Sequence, residues 1–320
     1  MIILITGGAG FIGSNLSDSL LNQGHFVICF DNFDDFYDTS NKKKNIREAI
    51  CSPNYILVEG DIRDQNLLEN IFNEHKPNIV IHLAARAGVR PSVLNPALYY
   101  DVNLTGTLSL LEVMRSHNVT KMIMASSSSV YGNNEKVPFS ESDSVDNPIS
   151  PYAASKKATE LLCYTYSFLY GFDIFCMRLF TVYGPRQRPE MAIHQFVRKI
   201  LNKETIQLYG DGSSQRDYTY VDDIIQGFLN AIDNLKGYEI INLGESQTIP
   251  LIALIKSIES LLDMNAIIEW KPKQAGDVDT TFADISKAKK ILNYNPQFSM
   301  QEGLIRFIEW YKNNIEINRI

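Results

Sequence analysis

The apolar run Ile2-Ile3-Leu4-Ile5 leads through Thr6 into Gly7-Gly8-Ala9-Gly10-Phe11-Ile12-Gly13. Glycines three apart directly after a buried-type strand restrict the local fold to strand, tight turn and helix. Lacking Cβ, Gly7 can make the turn, Gly10 can let the backbone approach a pyrophosphate, and Gly13 can let helix pack on strand. The helix start then aims free amides and its positive dipole end at phosphates. Leu16, Leu20 and Leu21 follow at helical spacing, and Gly24 stands where that helix should stop.

The same rhythm repeats. Apolar runs predict strands at 2–6, 26–31, 55–58, 79–83, 121–126 and 172–178, with amphipathic stretches between them. Alternation of this kind predicts an α/β fold, a doubly wound parallel sheet with a smaller C-terminal substrate-binding lobe. A helix from Tyr152 to about Tyr170 is expected behind Pro151, a favoured first-turn residue. Beyond about residue 180, Pro185, Pro189, Gly210 and Gly212 punctuate shorter elements. The expected division is a dinucleotide-binding domain over 1–178 and a substrate lobe over 179–320. Returns to the sheet are expected at Tyr218 to Asp233 and at Glu239–Leu243.

At 320 residues and 45% hydrophobic content the chain can bury a large core, and its net charge of −7 disfavours nucleic acid and anionic membrane. A phosphorylated ligand then needs locally placed arginines. Lys42-Lys43-Lys44, the only dense basic run, reads as a solvated loop. The first strand leaves no room for a leader peptide, and no apolar stretch reaches the ~20 residues of a membrane span, so a cytosolic protein is expected. Cys29, Cys51, Cys163 and Cys176 lack Cys-x-x-Cys spacing and are expected to be buried, reduced thiols; no metal site is expected.

Asp31 closes the second strand, where a carboxylate can accept hydrogen bonds from adenosine ribose hydroxyls and repel a 2′-phosphate, which favours NAD over NADP. Asn32 follows it. Asp61 and Ile62, after the third strand, are placed beside the adenine. Tyr152 and Lys156 stand one helical turn apart on one face. Moving a tyrosine from ~10 to near 7 takes about 4 kcal/mol. One cation at about 4 Å supplies roughly that much at an effective dielectric near 20. A phenolate so held can take a hydroxyl proton while hydride leaves the carbon.

With these pieces the chain resembles the extended short-chain dehydrogenases/reductases, of Rossmann type, and among them the nucleotide-sugar epimerases. The matching segments are the glycine turn, Asp31-Asn32, His82-Leu83-Ala84-Ala85, Ser126 to Gly132, Pro151 to Lys156, Arg178 to Thr181, and Arg216-Asp217-Tyr218. The resemblance implies bound NAD, a catalytic Ser127 beside Tyr152 and Lys156, cofactor contacts from Leu83, Ala84, Ala85 and Asn103, and a homodimer built on the helices after residues 103 and 152. Related sugar dehydratases carry Asp-Glu where this chain has Ser128-Ser129, and related decarboxylases carry glutamate at Ser129 and histidine at Arg188.

The segments Asn32 to Asp38, Ala84 to Ser92 and Thr181 to Ala192 are similar to those of UDP-glucuronate 4-epimerases. An arginine fork can hold a carboxylate through two charge-assisted hydrogen bonds. Arg188 is the favoured grip, with Thr181, Ser127 and Ser128 as neutral donors and Arg186 as the alternative. The resemblance also implies Gln207 and Tyr209 beside a uracil, Arg216 at the diphosphate and Asp277 near its ribose. Three other readings stand beside this one: an epimerase of UDP-glucose or UDP-N-acetylhexosamine, a UDP-glucuronate decarboxylase, and an idle NAD-binding sensor.

Overall fold

The computed structural model describes residues 1–272 and 278–317. Strand β1 (Ile2–Thr6) enters α1 (Phe11–Asn22) through the glycine turn, and β2 (Phe26–Asp31) returns beside it. There follow α2 (Thr39–Asn45), β3 (Tyr55–Glu59), α3 (Gln65–His75) and β4 (Ile79–His82). Two short helices, α4 (Val89–Leu94) and α5 (Pro96–Tyr100), lead to α6 (Gly106–Ser116), β5 (Lys121–Ser127), α7 (Pro151–Tyr170) and β6 (Asp173–Leu179). The six expected strands therefore form, within a residue of their expected ends. α7 starts where Ser150 caps the Ala153 amide, carries Pro151 in its first turn, and stops at Gly171 in the left-handed region.

The later chain is made of shorter pieces. These are β7 (Thr181–Tyr183), α8 (Ala192–Leu201), β8 (Thr205–Tyr209), β9 (Gln215–Arg216), β10 (Tyr218–Tyr220) and α9 (Val221–Asn234). β11 (Tyr238–Leu243), β12 (Ile249–Pro250), α10 (Leu251–Leu262), β13 (Ile267–Lys271), α11 (Ser286–Leu292) and α12 (Met300–Ile317) complete it.

Seven strands form one sheet in the order β11-β6-β5-β4-β1-β2-β3, all parallel. Alternate residues of one strand serve opposite layers: Ile3 and Ile5 belong to one apolar cluster, and Leu4 to the other. Burial on both faces explains why these strands read as unbroken apolar runs. From β1 the chain winds outward through β2 to β3, then crosses back to β4 and winds the other way. The carboxyl ends of β1 and β4 thus flank the switch point where such sheets open a crevice for ligand.

One expectation needs correction. Of the two proposed returns to the sheet, only Tyr238–Leu243 joins it, pairing with β6. Tyr218–Tyr220 pairs with Thr181–Tyr183 in a separate two-stranded ribbon, and Val221–Asn234 is a helix. The cysteine reading also changes at one position: Cys29, Cys163 and Cys176 are buried, but Cys51 is exposed. Among the described residues no helix is long and apolar enough to cross a membrane.

Candidate active site

The glycine turn has no space for side chains. A Cβ on Gly7, which has φ +71°, would lie 2.8 Å from the Ala84 amide nitrogen; one on Gly13 would lie 2.4 Å from the Gly7 carbonyl oxygen. Bare backbone therefore faces a cavity of about 300 Å³ at the switch point. Gly7, Gly10, Phe11, Ile12 and Gly13 line it from one side. Asp31, Asn32, Ile62, Leu83, Ala84 and Ala85 line it as well, and so do Ser127, Tyr152, Lys156 and Arg188. A cradle of amides at a helix start beside a strand-end carboxylate fits a dinucleotide.

Two expected cofactor residues stand outside the lining. Asn103 is buried behind it; its amide oxygen accepts from the Arg86 amide at 2.7 Å, and its nitrogen donates to the Ser155 hydroxyl at 2.9 Å. It ties the segment after β4 to α7. Asp61 is held by Arg63 at 2.7 and 2.8 Å and by Asn32 at 3.1 Å, contacts that pull its carboxyl down to about 2. The neighbouring Ile62 and Arg63 reach the cavity instead. Beneath the floor, His82 bridges the Thr6 and Thr107 hydroxyls at 2.7 and 2.9 Å, and burial holds it neutral, with its value lowered to about 3.

The basic run departs from expectation. It forms α2, and Lys42 turns inward to pair with Asp31 at 2.9 Å, while Lys43 and Lys44 stay exposed. Asp31 also accepts the Ala9 amide at 3.1 Å and the Phe33 amide at 2.9 Å. Nothing in three adjacent lysines announces that one is buried; its reason is a carboxylate supplied by another strand.

Ser127 ends β5, and Tyr152 and Lys156 occupy the first turns of α7, so sheet and helix set their separation. Burial raises the Tyr152 phenol, while a hydrogen bond with Ser127 and the nearby Arg188 charge lower it. Lys156 donates to the Ala125 carbonyl at 2.7 Å, and burial lowers it to about 8. The Arg188 charge thus also bears on the phenol, and Lys156 lines the same cavity. One turn beyond Lys156, Glu160 is fully buried, gripped by Arg178 through two 2.8 Å bonds and by the Ser126 hydroxyl at 2.6 Å. This network fastens α7 to β5 and β6.

In the same cavity lining, Arg188 Nε pairs with Glu190 at 2.9 Å, and its guanidinium lies 5.8 Å from the centre of the Phe36 ring. Arg86, paired with Asp34, lies 5.3 Å from the same ring. Phe36, Glu190 and Arg86 were not singled out for roles in the sequence, because their significance comes from Arg188 folding against them. Arg186, with φ +69°, turns away to pair with Asp18 of α1 at 2.7 Å and does not line the cavity. Thr181 lies on β7 and Ser128 follows β5, both beside lining residues.

Gln207 and Tyr209 lie on β8 and Arg216 on β9. Gln207 donates to Glu269 at 3.2 Å, and Arg216 donates to the Asp279 carbonyl at 3.2 Å. Arg90 of α4 stacks over the Tyr209 ring at 5.0 Å, and neither residue lines the cavity. Asp277 lies outside the described residues.

Comparisons with known proteins agree with this architecture. The chain is 46% identical over 315 residues to a UDP-glucuronate 4-epimerase of Thermodesulfobacterium geofontis, covering 98% of this chain and 97% of that one. The crystal structure of UDP-glucuronic acid 4-epimerase from Bacillus cereus, in complex with UDP-glucuronic acid and NAD, superposes with a TM-score of 0.92 at 35% identity, covering 98% and 100% of the two chains. That of UDP-glucose 4-epimerase from Thermotoga maritima, with UDP-glucose, gives 0.91 at 35% identity and the same coverage. Residues 4–307 match the family described as GDP-mannose 4,6 dehydratase, and the chain belongs to that family, within the extended short-chain dehydrogenases/reductases.

Proposed function

We propose that this chain is a UDP-glucuronate 4-epimerase, interconverting UDP-glucuronate and UDP-galacturonate at C4 through a 4-keto sugar. The carrying observation is that Arg188 shares one cavity with Ser127, Tyr152 and Lys156. NAD held on the glycine turn supplies a reversible two-electron acceptor. Tyr152 takes the O4 proton as C4 is oxidised and returns it after the sugar has turned over; Ser127 steadies that proton. Lys156 donates to the Ala125 carbonyl and lines the same cavity as Tyr152, where its charge favours the phenolate. Arg188 grips the C6 carboxylate, supported by Thr181 and Ser128. The intermediate is a β-keto acid, which loses carbon dioxide when the carboxylate bond lines up with the carbonyl π system. A clamp that keeps this bond near the carbonyl plane protects it.

Because the sugar rotates, the UDP part is the fixed anchor, and its binding energy retains the intermediate. Gln207, Tyr209 and Arg216 are proposed there, with the dinucleotide side over 1–178 and the sugar-nucleotide lobe over 179–320. The proposal includes a cytosolic homodimer. Leu161, Tyr164 and Phe168 recur along one face of α7 and are more than half exposed, at 56%, 52% and 76%. Such a stripe suits a second copy of the chain; light scattering reads the mass.

Product analysis with UDP-glucuronate, UDP-glucose and UDP-N-acetylglucosamine tests the substrate. Preference for an uncharged hexose refutes the role of Arg188, and release of carbon dioxide with either a pentose, or a 4-keto pentose and free NADH, makes the chain a decarboxylase. Hydrogen label at C4 is expected to be retained.

A further inference from the structure

Phe36 stands in the loop between β2 and α2, and its ring belongs to neither apolar cluster of the protein. Its neighbours are charged instead. The Arg86 guanidinium lies 5.3 Å and the Arg188 guanidinium 5.8 Å from the ring centre, and all three residues line the active-site cavity. Arg86 is paired with Asp34 and Arg188 with Glu190, so two ion pairs flank one aromatic ring. The ring tip abuts the chain before α4: a Cβ on Gly88 would lie 3.7 Å from Phe36 Cζ. A ring face attracts a cation within about 6 Å, so a side chain left outside the core has its partners in these guanidiniums.

The loop that carries the ring is fastened residue by residue. The Phe33 amide donates to Asp31 Oδ1 at 2.9 Å, the Asp34 amide to Asn32 Oδ1 at 3.0 Å, and the Phe36 amide to Asp34 Oδ1 at 2.9 Å. Each is a short polar side chain capping the amide two residues on. Asp34 therefore serves the ring twice, fixing its backbone and pairing with one of its cations. Arg188 comes from the loop between β7 and α8, and its carboxylate partner Glu190 is exposed. An ion pair open to water restrains a long side chain weakly. The ring adds a second restraint from a loop that is already held.

We propose that Phe36 is a positioning residue for substrate choice: by holding the Arg188 guanidinium against its ring, it keeps that cation within reach of a C6 carboxylate and sets the preference for uronate over uncharged hexose. This rests on the proposed carboxylate grip of Arg188.

The test is calorimetric titration of the NAD-loaded protein with UDP-glucuronate and with UDP-glucose, with KM and kcat for UDP-glucuronate measured alongside. Phe36→Leu keeps an apolar side chain and removes the ring. It is expected to weaken UDP-glucuronate binding about 3- to 10-fold relative to UDP-glucose, the size of one cation–ring contact. KM should rise and kcat change less, because grip is lost and proton transfer is not. Phe36→Tyr retains the ring and should keep the wild-type ratio. In an Arg188→Met background Phe36→Leu should have no further effect on the ratio, since the ring acts only through that cation. An unchanged ratio in Phe36→Leu, an equal loss for both sugars, a Phe36→Tyr ratio that falls with it, or a loss that persists in the Arg188→Met background overturns the proposal. Should Phe36→Leu fail to fold, Phe36→Met takes its place. Wild type without preference for UDP-glucuronate refutes the carboxylate grip itself.

Discussion

Glu160→Ala is the sharpest test of how the catalytic helix is held. Glu160 and Arg178 side chains are each 1% exposed, and two 2.8 Å bonds join them. Removing one partner of a buried pair leaves an uncompensated charge, which costs about 3–5 kcal/mol. The Ser126 hydroxyl also loses its acceptor, worth ~1 kcal/mol more. Arg178 already has one buried nitrogen without a partner among the described residues, and it lies 4.8 Å from the Tyr131 ring centre, so loss of Glu160 leaves its charge against an aromatic ring. At roughly 2–4 °C per kcal/mol, the midpoint should fall on the order of 10 °C. Thermal unfolding at saturating NAD reads this, with Glu160→Met/Arg178→Met as the second arm. The double variant should recover most of the loss, because two apolar groups replace two desolvated charges. A single-variant loss below about 1 kcal/mol, or a double variant no better than the sum of its parts, refutes the reasoning.

Tyr152→Phe should cut turnover by about 10³-fold while bound NAD, read by chromatography of the denatured protein, stays unchanged; undiminished turnover rules out Tyr152 as the base. Arg188→His should raise the KM for UDP-glucuronate about 10- to 100-fold and release carbon dioxide, since a charge-assisted grip is worth ~1.5–3 kcal/mol. If neither change is found, Arg188 does not hold the carboxylate. Burial, then the Asp223 and Asp217 charges, push Glu245 up to about 8. The folded chain therefore binds that proton more tightly than the unfolded one. Its contribution is complete below about 4.5, the ordinary value, and is lost as pH rises to about 8. Stability should fall across that window in wild type and less in Glu245→Gln; parallel pH profiles would exclude Glu245 as the source.

The first half of the fold was legible because burial on both faces leaves β1 to β6 as apolar runs, and because proline and glycine bracket α7. The second half was less so: Tyr218–Tyr220 has the composition of a sheet strand, but its partner is the short β7, a choice made by tertiary packing. At the site, glycine spacing alone pointed to the cradle, since only backbone fits between Gly7 and Ala84. Sequence favoured Arg188 over Arg186 only by resemblance, since the two stand two residues apart in one loop. The left-handed conformation at Arg186 sends its side chain to Asp18, and Arg188 toward Phe36. Lys42 was hidden for a like reason, as its partner comes from β2.

The placement of β11 beside β6 bears on biosynthesis. When Leu179 leaves the ribosome, β6 has an apolar edge with no neighbour, and its partner Tyr238–Leu243 is still about sixty residues away. At ~5–20 residues per second, that edge waits roughly 3–12 s. Nascent chains are most open to wrong strand pairing, or to chaperone capture, in that interval, and truncations ending before Leu243 should aggregate even though they contain the whole glycine turn and α7.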